Sequence, residues 1–172
     1  MIFFTSVHEN LLKGQDMIDP LKEIIIEKKD AVFRMDGNGQ WHNQHGRFQH
    51  KKVIDYFHTC IQKDDHGFYL TQERDNCLEK VYFPYVETAY FVFNIIAEED
   101  ITLVLNTKAH LKLNPDALCI KDDSLYMRHG EDILKFTDRS MMKIATFLEE
   151  RDGGYDFVFQ EKRYPIKALD SF

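Results

Sequence analysis

The residues of this chain best placed to do chemistry are histidines. His42, His45, His50, His58 and His66 crowd one quarter of a 172-residue sequence. Imidazole ligates metals and moves protons near neutral pH. Yet the spacings match no metal motif, and HExxH is absent. His50 and His58 stand eight apart in a helical pattern, about 12 Å along its axis, too far to share one ion. His42 and His45 fall at a hairpin end, where a nearby carboxylate such as Asp36 would complete a metal-assisted hydrolase; surface and turn histidines are the simpler reading. The run Asp36-Gly37-Asn38-Gly39-Gln40 fails as a calcium loop, because its sixth position is Trp41 and its twelfth is Arg47. It reads as a turn. Gly37 and Gly39 lack the third glycine of a dinucleotide site, and Gly153-Gly154 lacks the Lys-Ser/Thr of a phosphate loop. Ser6, Ser124, Ser140 and Ser171 occupy no GxSxG context. Cys60 falls on an apolar helix face and Cys77 lies near Glu79, so neither has the setting of a reactive thiolate. Asp64-Asp65, Glu98-Glu99, Asp122-Asp123 and Glu149-Glu150 read as solvated turn or helix-end charges. No catalytic residue, metal ligand or cofactor is assigned.

Aromatic residues make a better case for binding. Tyr82, Phe83, Tyr85, Tyr90, Phe91 and Phe93, with Trp41, exceed what one small core needs. Most belong to packing, but some can line an apolar ligand pocket or a subunit interface.

The elements that would position these residues occur twice. Phe33-Arg34-Met35-Asp36-Gly37-Asn38-Gly39-Gln40-Trp41 leads to His45-Gly46, a helical stretch from His50 to Gln62, then Asp65-His66-Gly67-Phe68-Tyr69-Leu70. Leu118-Cys119-Ile120-Lys121-Asp122-Asp123-Ser124-Leu125-Tyr126 leads to His129-Gly130, a helical stretch from Asp138 to Glu150, then Asp152-Gly153-Gly154-Tyr155-Asp156-Phe157. Trp41 and Tyr126 both stand four residues before the histidine, and the copies differ by three residues inserted before the helix. Val53, Ile54, Phe57, Cys60 and Ile61 form one helical stripe, and Met141, Ile144, Ala145 and Leu148 the other, after Thr137 as N-cap. Strand composition covers 68–72, 78–83, 88–96, 101–106, 111–113, 117–121, 124–128, 155–159 and 163–166. The run Tyr90 to Ile96 is apolar on both faces, so it is buried on both sides or covered by a partner chain. Near the N-terminus, Asp19 as N-cap, Pro20 at the first helical position and Leu21, Ile24 and Ile25 on one face predict a helix. Residues 1–16 carry no period, and Met17 could be a natural start.

Bulk properties bound the class. Apolar content of 44% with 13% aromatics supports a packed interior. A net charge of -7 argues against nucleic acid and anionic membranes as partners. Three widely spaced cysteines with no CxxC fit a reducing compartment, the cytoplasm. No apolar run is long enough for a signal peptide or a membrane span.

The same residues carry a family resemblance. Phe33-Arg34-Met35-Asp36…Gly39-Gln40-Trp41…His45-Gly46 resembles the opening signature of a bacterial family of domains of unknown function, DUF1285. Asp65-His66-Gly67-Phe68-Tyr69-Leu70, Glu79-Lys80-Val81, Val86-Glu87-Thr88-Ala89, Asn106-Thr107 and Asp138-Arg139-Ser140 resemble its later motifs in order, over roughly Ala31 to Ile166. The chain departs from the pattern after Thr71, where Gln72 replaces a proline, and at Ala89-Tyr90, which lacks one. A divergent relative is implied. The resemblance implies an α+β fold with repeated motifs and a role in ligand binding or signalling, and it carries over no catalytic residue.

These readings combine into an α+β body with two hairpin-helix-strand units around a mostly antiparallel sheet, plus an N-terminal helix. Its parts are a tail and helix (1–30), a first unit with central strands (31–116) and a second unit with C-terminal strands (117–172). The expected function is a non-enzymatic, cytoplasmic ligand-binding or signalling module for a small molecule or protein. Its groove would be lined by Trp41, His45, Tyr82, Tyr85 and Tyr90, with Tyr126 and His129 at the related place in the second copy. The metal-assisted hydrolase at His42 and His45, and a homodimer through Tyr90 to Ile96, are the alternatives.

Overall fold

The structure is a computed structural model and describes residues 22–169. It corrects the α+β expectation: the chain is mostly β, with two α-helices among the described residues. The N-terminal helix is replaced by a strand, β1 (Lys22–Ile26), which pairs in parallel with Cys77–Val81. Three consecutive isoleucines, Ile24 to Ile26, explain the outcome, because β-branched side chains lose rotamers in a helix and suit a pleated surface. The cap expected at Asp19 and Pro20, and the question of residues 1–16, lie outside the described residues.

After β1 come β2 (Phe33–Met35), β3 (Trp41–Asn43) and β4 (Gly46–Arg47), then α1 (Lys51–Thr59), then β5 (Gln62–Asp64), β6 (Gly67–Arg74) and β7 (Cys77–Tyr82). The middle of the chain supplies β8 (Phe91–Ala97), β9 (Ile101–Leu105) and β10 (His110–Lys112). Then β11 (Leu118–Lys121), β12 (Ser124–His129) and β13 (Asp132–Phe136) precede α2 (Asp138–Ile144). The chain closes with β14 (Leu148–Arg151), β15 (Gly154–Phe159), β16 (Lys162–Pro165) and β17 (Lys167–Ala168).

Four sheets result, in the orders β1-β7-β6-β5, β2-β3-β4, β14-β15-β16 and β10-β9-β8-β13-β12-β11-β17. The last, with seven strands, corrects a second expectation. The Tyr126 unit does not flank the central sheet; its strands β11 to β13 form part of it, because β13 pairs in parallel with β8 at Lys135–Phe91 and Phe136–Val92. Helix α2 is also shorter than expected. Thr137 caps it, accepting from the Ser140 N–H, but Leu148 onward turns extended to pair with β15.

The apolar strand from Tyr90 to Ile96 resolves into a boundary between two cores. Phe91 and Val92 are adjacent, point to opposite faces and are both fully buried. Phe91 joins a cluster with Phe33, Met35, Trp41, Phe57, Phe68, Val81 and Phe83. Val92 joins one with Leu103, Leu125, Leu134, Ile144 and Phe157. The turn before β3 must lie flat for this packing. Gly39 has φ +73°, and a Cβ there would sit 2.8 Å from the Phe91 ring, so only glycine fits without moving the ring.

Candidate functional site

Of the predicted site residues, the structure brings two together. Tyr85 and Tyr90 each pack edge-on against Phe68, at the start of β6, at 4.9 Å between ring centres. Tyr82 stands opposite Tyr69 in the β6-β7 ladder, and so lies on the other face of the strand pair. Trp41 lies elsewhere, buried against Phe83, Phe57 and Phe33. Strand alternation separates it from Tyr82, since Phe83 turns inward to meet it. Tyr126 is buried at a third place, where its hydroxyl donates to Glu87 at 2.9 Å. His45 and His129 are exposed. His45 sits within the β3-β4 turn beside the Gln44 side chain, whereas His129 is the last residue of β12, so the two His-Gly pairs do not occupy equivalent positions.

The alternative metal site is assembled differently from its expectation. The Asp36 carboxylate accepts from the Asn38 and Gln40 N–H groups and pairs with His42 Nε2 at 2.7 Å. Burial works to raise the Asp36 pKa, but these bonds together hold it below the usual value. It therefore acts as a turn clamp. Among the described residues no three His, Cys, Asp or Glu side chains gather as metal ligands would.

Beside Tyr82 lies an open groove of about 640 Å³, lined by Ile25, Glu27, Lys28, Lys29, His66 and Tyr82. Strand β1 and the short 3₁₀ turn Lys28–Asp30 form one wall; the β5-β6 turn forms the other. Tyr82 is fixed by its hydroxyl, which donates to Asp64 at 2.7 Å. Asp64 also accepts from Lys80 and from the His66 N–H. The Lys80 hydrogen bond, then that of Tyr82, holds the Asp64 carboxyl far below the usual range, and the same bond pushes Lys80 up. The bond to Asp64 raises the Tyr82 phenol. Tyr82 thus stays protonated at neutral pH and serves as a rigid wall, with neither base nor nucleophile character.

Tyr85 backs the groove. Lys28 Nζ lies 4.9 Å from the centre of its ring, a cation–π contact. Tyr85 belongs to the loop after β7, which Glu87 ties to the seven-stranded sheet. Glu87 has φ +64°, and its carboxylate accepts from Lys135 at 2.7 Å as well as from Tyr126. Burial opposes ionisation of Glu87, but the Lys135 and Tyr126 bonds outweigh it and lower its pKa.

The residues that sequence reasoning missed are Ile25, Lys28, Lys29 and Gly67. Lys28 reads as an ordinary position on an amphipathic helix. Its role appears only once β1 is a strand ending in a tight turn.

No family model matches the chain, and no curated protein matches it. Solved structures do. A DUF1285 family protein from Silicibacter pomeroyi DSS-3 aligns over 92% of this chain and 91% of its own, with a TM-score of 0.59 at 12% identity. The fold is that of a DUF1285 family protein. A second DUF1285 family protein, from Shewanella baltica OS155, aligns over 67% of this chain and 91% of its own, with a TM-score of 0.47 at 12% identity. The motif resemblance and the DUF1285 fold agree, at the low identity of a divergent relative. No helix among the described residues is long and apolar enough to cross a membrane.

Proposed function

We propose that this chain is a non-enzymatic, cytoplasmic binding module whose small-molecule ligand enters the groove between β1 and the β5-β6 turn. The observation that carries the reading is the groove itself: Ile25 offers apolar surface over the buried Tyr82, while Glu27, Lys28, Lys29 and His66 offer polar groups at its rim. Ligand sites combine concave apolar surface with a few convergent polar groups in this way. The fixed protonation of Tyr82 and Lys80 favours binding over proton transfer. The hydrolase alternative has less support, because Asp36 is occupied by its turn and His42. The homodimer alternative has less too, since Phe91 and Val92 are buried within one chain. The three unpaired cysteines fit a cytoplasmic setting. A signalling role draws support from the loop that carries both Tyr85, behind the groove, and Glu87, on the second core.

The test is an NMR screen of small aromatic fragments against the full chain. Amide shifts should concentrate on Ile25 to Lys29 and His66 to Tyr69. Shifts spread elsewhere, or none at millimolar fragment, would remove the groove as the site.

A further inference from the structure

Resting on that reading, we infer that the groove selects ligands bearing an oxyanion, a carboxylate or phosphate, attached to an apolar ring or chain. The anion is received by the Lys28 ammonium and the Tyr85 hydroxyl above Gly67.

Three features of the site point to this class. First, Lys28 is a cation held in place without a counter-charge among the described residues. It sits over the Tyr85 ring, and among the described residues no carboxylate lies within ion-pair distance of it. Neighbouring lysines differ: Lys63 is paired with Asp132 and Lys80 with Asp64. An aromatic face orients an ammonium but does not neutralise it, so Lys28 keeps its full charge for a ligand.

Second, Gly67 lets two donors come close to the backbone. Its φ is +118°, and a Cβ there would come 3.0 Å from Lys28 Nζ and 3.3 Å from Tyr85 Oη. The two polar groups therefore lie side by side against bare backbone. An ammonium and a phenol hydroxyl both donate, and a pair of neighbouring donors fits an acceptor bearing negative charge. Close backbone approach is a use to which glycine is put at ligand sites.

Third, the groove lining holds two lysines although the whole chain carries -7. Lys28 and Lys29 outnumber Glu27, the one carboxylate in the lining. Ile25, over the buried Tyr82, supplies apolar contact for the rest of the ligand. The arrangement suits a compact molecule with one anionic end.

The experiment titrates the full chain with benzoate, phenyl phosphate and benzamide, followed by amide NMR. Benzoate and phenyl phosphate separate the two oxyanions, and benzamide has nearly the shape of benzoate without its charge. At least one anion should bind with Kd about 1 mM, as expected for a ligand this small. Benzamide should bind about tenfold more weakly, since a charge-assisted bond is lost. Lys28→Gln should weaken the anion about tenfold and leave benzamide unchanged; Tyr85→Phe should weaken it about threefold. Equal binding of benzamide and both anions in this groove would overturn the oxyanion inference and leave the groove reading standing. Failure of all three probes at 20-fold higher concentration, about 20 mM, would overturn both. Gly67→Ala adds a separate readout: binding lost with an unchanged amide spectrum elsewhere supports the site, whereas full retention counts against it.

Discussion

Trp41 stands opposite Met35 in one hairpin, and Tyr126 stands opposite Cys119 in the other. Both aromatic side chains are almost wholly buried. Their polar atoms fare differently. Among the described residues the Trp41 indole N–H has no hydrogen-bond partner, while the Tyr126 hydroxyl reaches Glu87 in a loop far along the chain. The strands that follow differ as well. β4 has two residues and ends its small sheet; β13 has five and continues into the seven-stranded one. The added length matches the three residues inserted before the second helix, and its last two residues, Lys135 and Phe136, make the contacts to β8. The first hairpin thus ends in a three-stranded sheet, whereas the second joins a seven-stranded one. The Trp41 side chain is held by packing, the Tyr126 side chain by packing and a polar tie.

That difference can be broken most sharply at Trp41. Trp41→Ala should destabilise the chain by about 3–5 kcal/mol, the usual cost of emptying a large aromatic site, measured by urea unfolding. No hydrogen bond to the described residues is lost with it. A cost under about 1 kcal/mol would mean that the first hairpin does not depend on its core.

The second hairpin is sharpened at its tie. Glu87→Gln keeps the size of the side chain but removes the charge facing Lys135, whose side chain is only 15% exposed. A loss of about 1–3 kcal/mol is expected. Tyr126→Phe should cost about 1 kcal/mol alone and less in the Glu87→Gln background, because the loss of charge on the acceptor weakens the bond that Tyr126→Phe removes. Simple additivity in that double-mutant cycle would show that the two groups act separately.

Much of this fold was legible in the sequence, and the reasons are local. The Asp36 turn, the Thr137 cap and the strands from Phe68 onward follow from turn chemistry, capping oxygens and period-2 patterns. Two things were not local. Ile24 to Ile26 carry both a helical spacing and strand-favouring side chains, and the choice fell to a distant partner, β7. The pairing of β13 with β8 likewise depends on contacts between residues some 44 positions apart. The candidate site was legible in half. Tyr82, Tyr85 and Tyr90 were visible as an aromatic excess, but Trp41 and Tyr126 share that composition and belong to cores. Lys28 and Gly67 become informative only when the β5-β6 turn and the end of β1 meet.

A third contrast lies in the helices. Each sends one buried polar side chain to a backbone carbonyl: His58 Nε2 donates to Gly39 at 3.0 Å, and Ser140 Oγ donates to Val92 at 2.7 Å. Only the first can titrate. Burial lowers the His58 pKa below its ordinary 6.5, opposed by the Gly39 bond, with Lys108 and Asp55 as the charges nearby. The unfolded chain therefore binds a proton at a higher pH than the folded one. Stability should fall as pH drops below about 6.5, by at most about 1.4 kcal/mol per pH unit until the folded imidazole also protonates. Asp36, with a lowered carboxyl pKa, adds a separate loss only at lower pH, where the unfolded carboxylate takes its proton. His58→Gln should abolish the slope between pH 5 and 6.5 while keeping a donor for Gly39. An unchanged slope would place the titration elsewhere.

The smallest effects are expected where the two copies look most alike in sequence. His45-Gly46 and His129-Gly130 share a dipeptide and a positive φ at glycine, +112° and +60°, yet a Cβ at either glycine would meet nothing within 4 Å. Both histidines are exposed. The likeness therefore reflects backbone geometry at two chain reversals, with the imidazoles left in solvent. His45→Ala and His129→Ala should each change stability by less than about 0.5 kcal/mol. Gly130→Ala should cost more than either, about 1 kcal/mol, because the left-handed conformation penalises any side chain even where space is free. Unfolding midpoints of the three variants decide the matter: a histidine variant that loses more than the glycine variant would show that the imidazole, and not the turn, is what the shared dipeptide preserves.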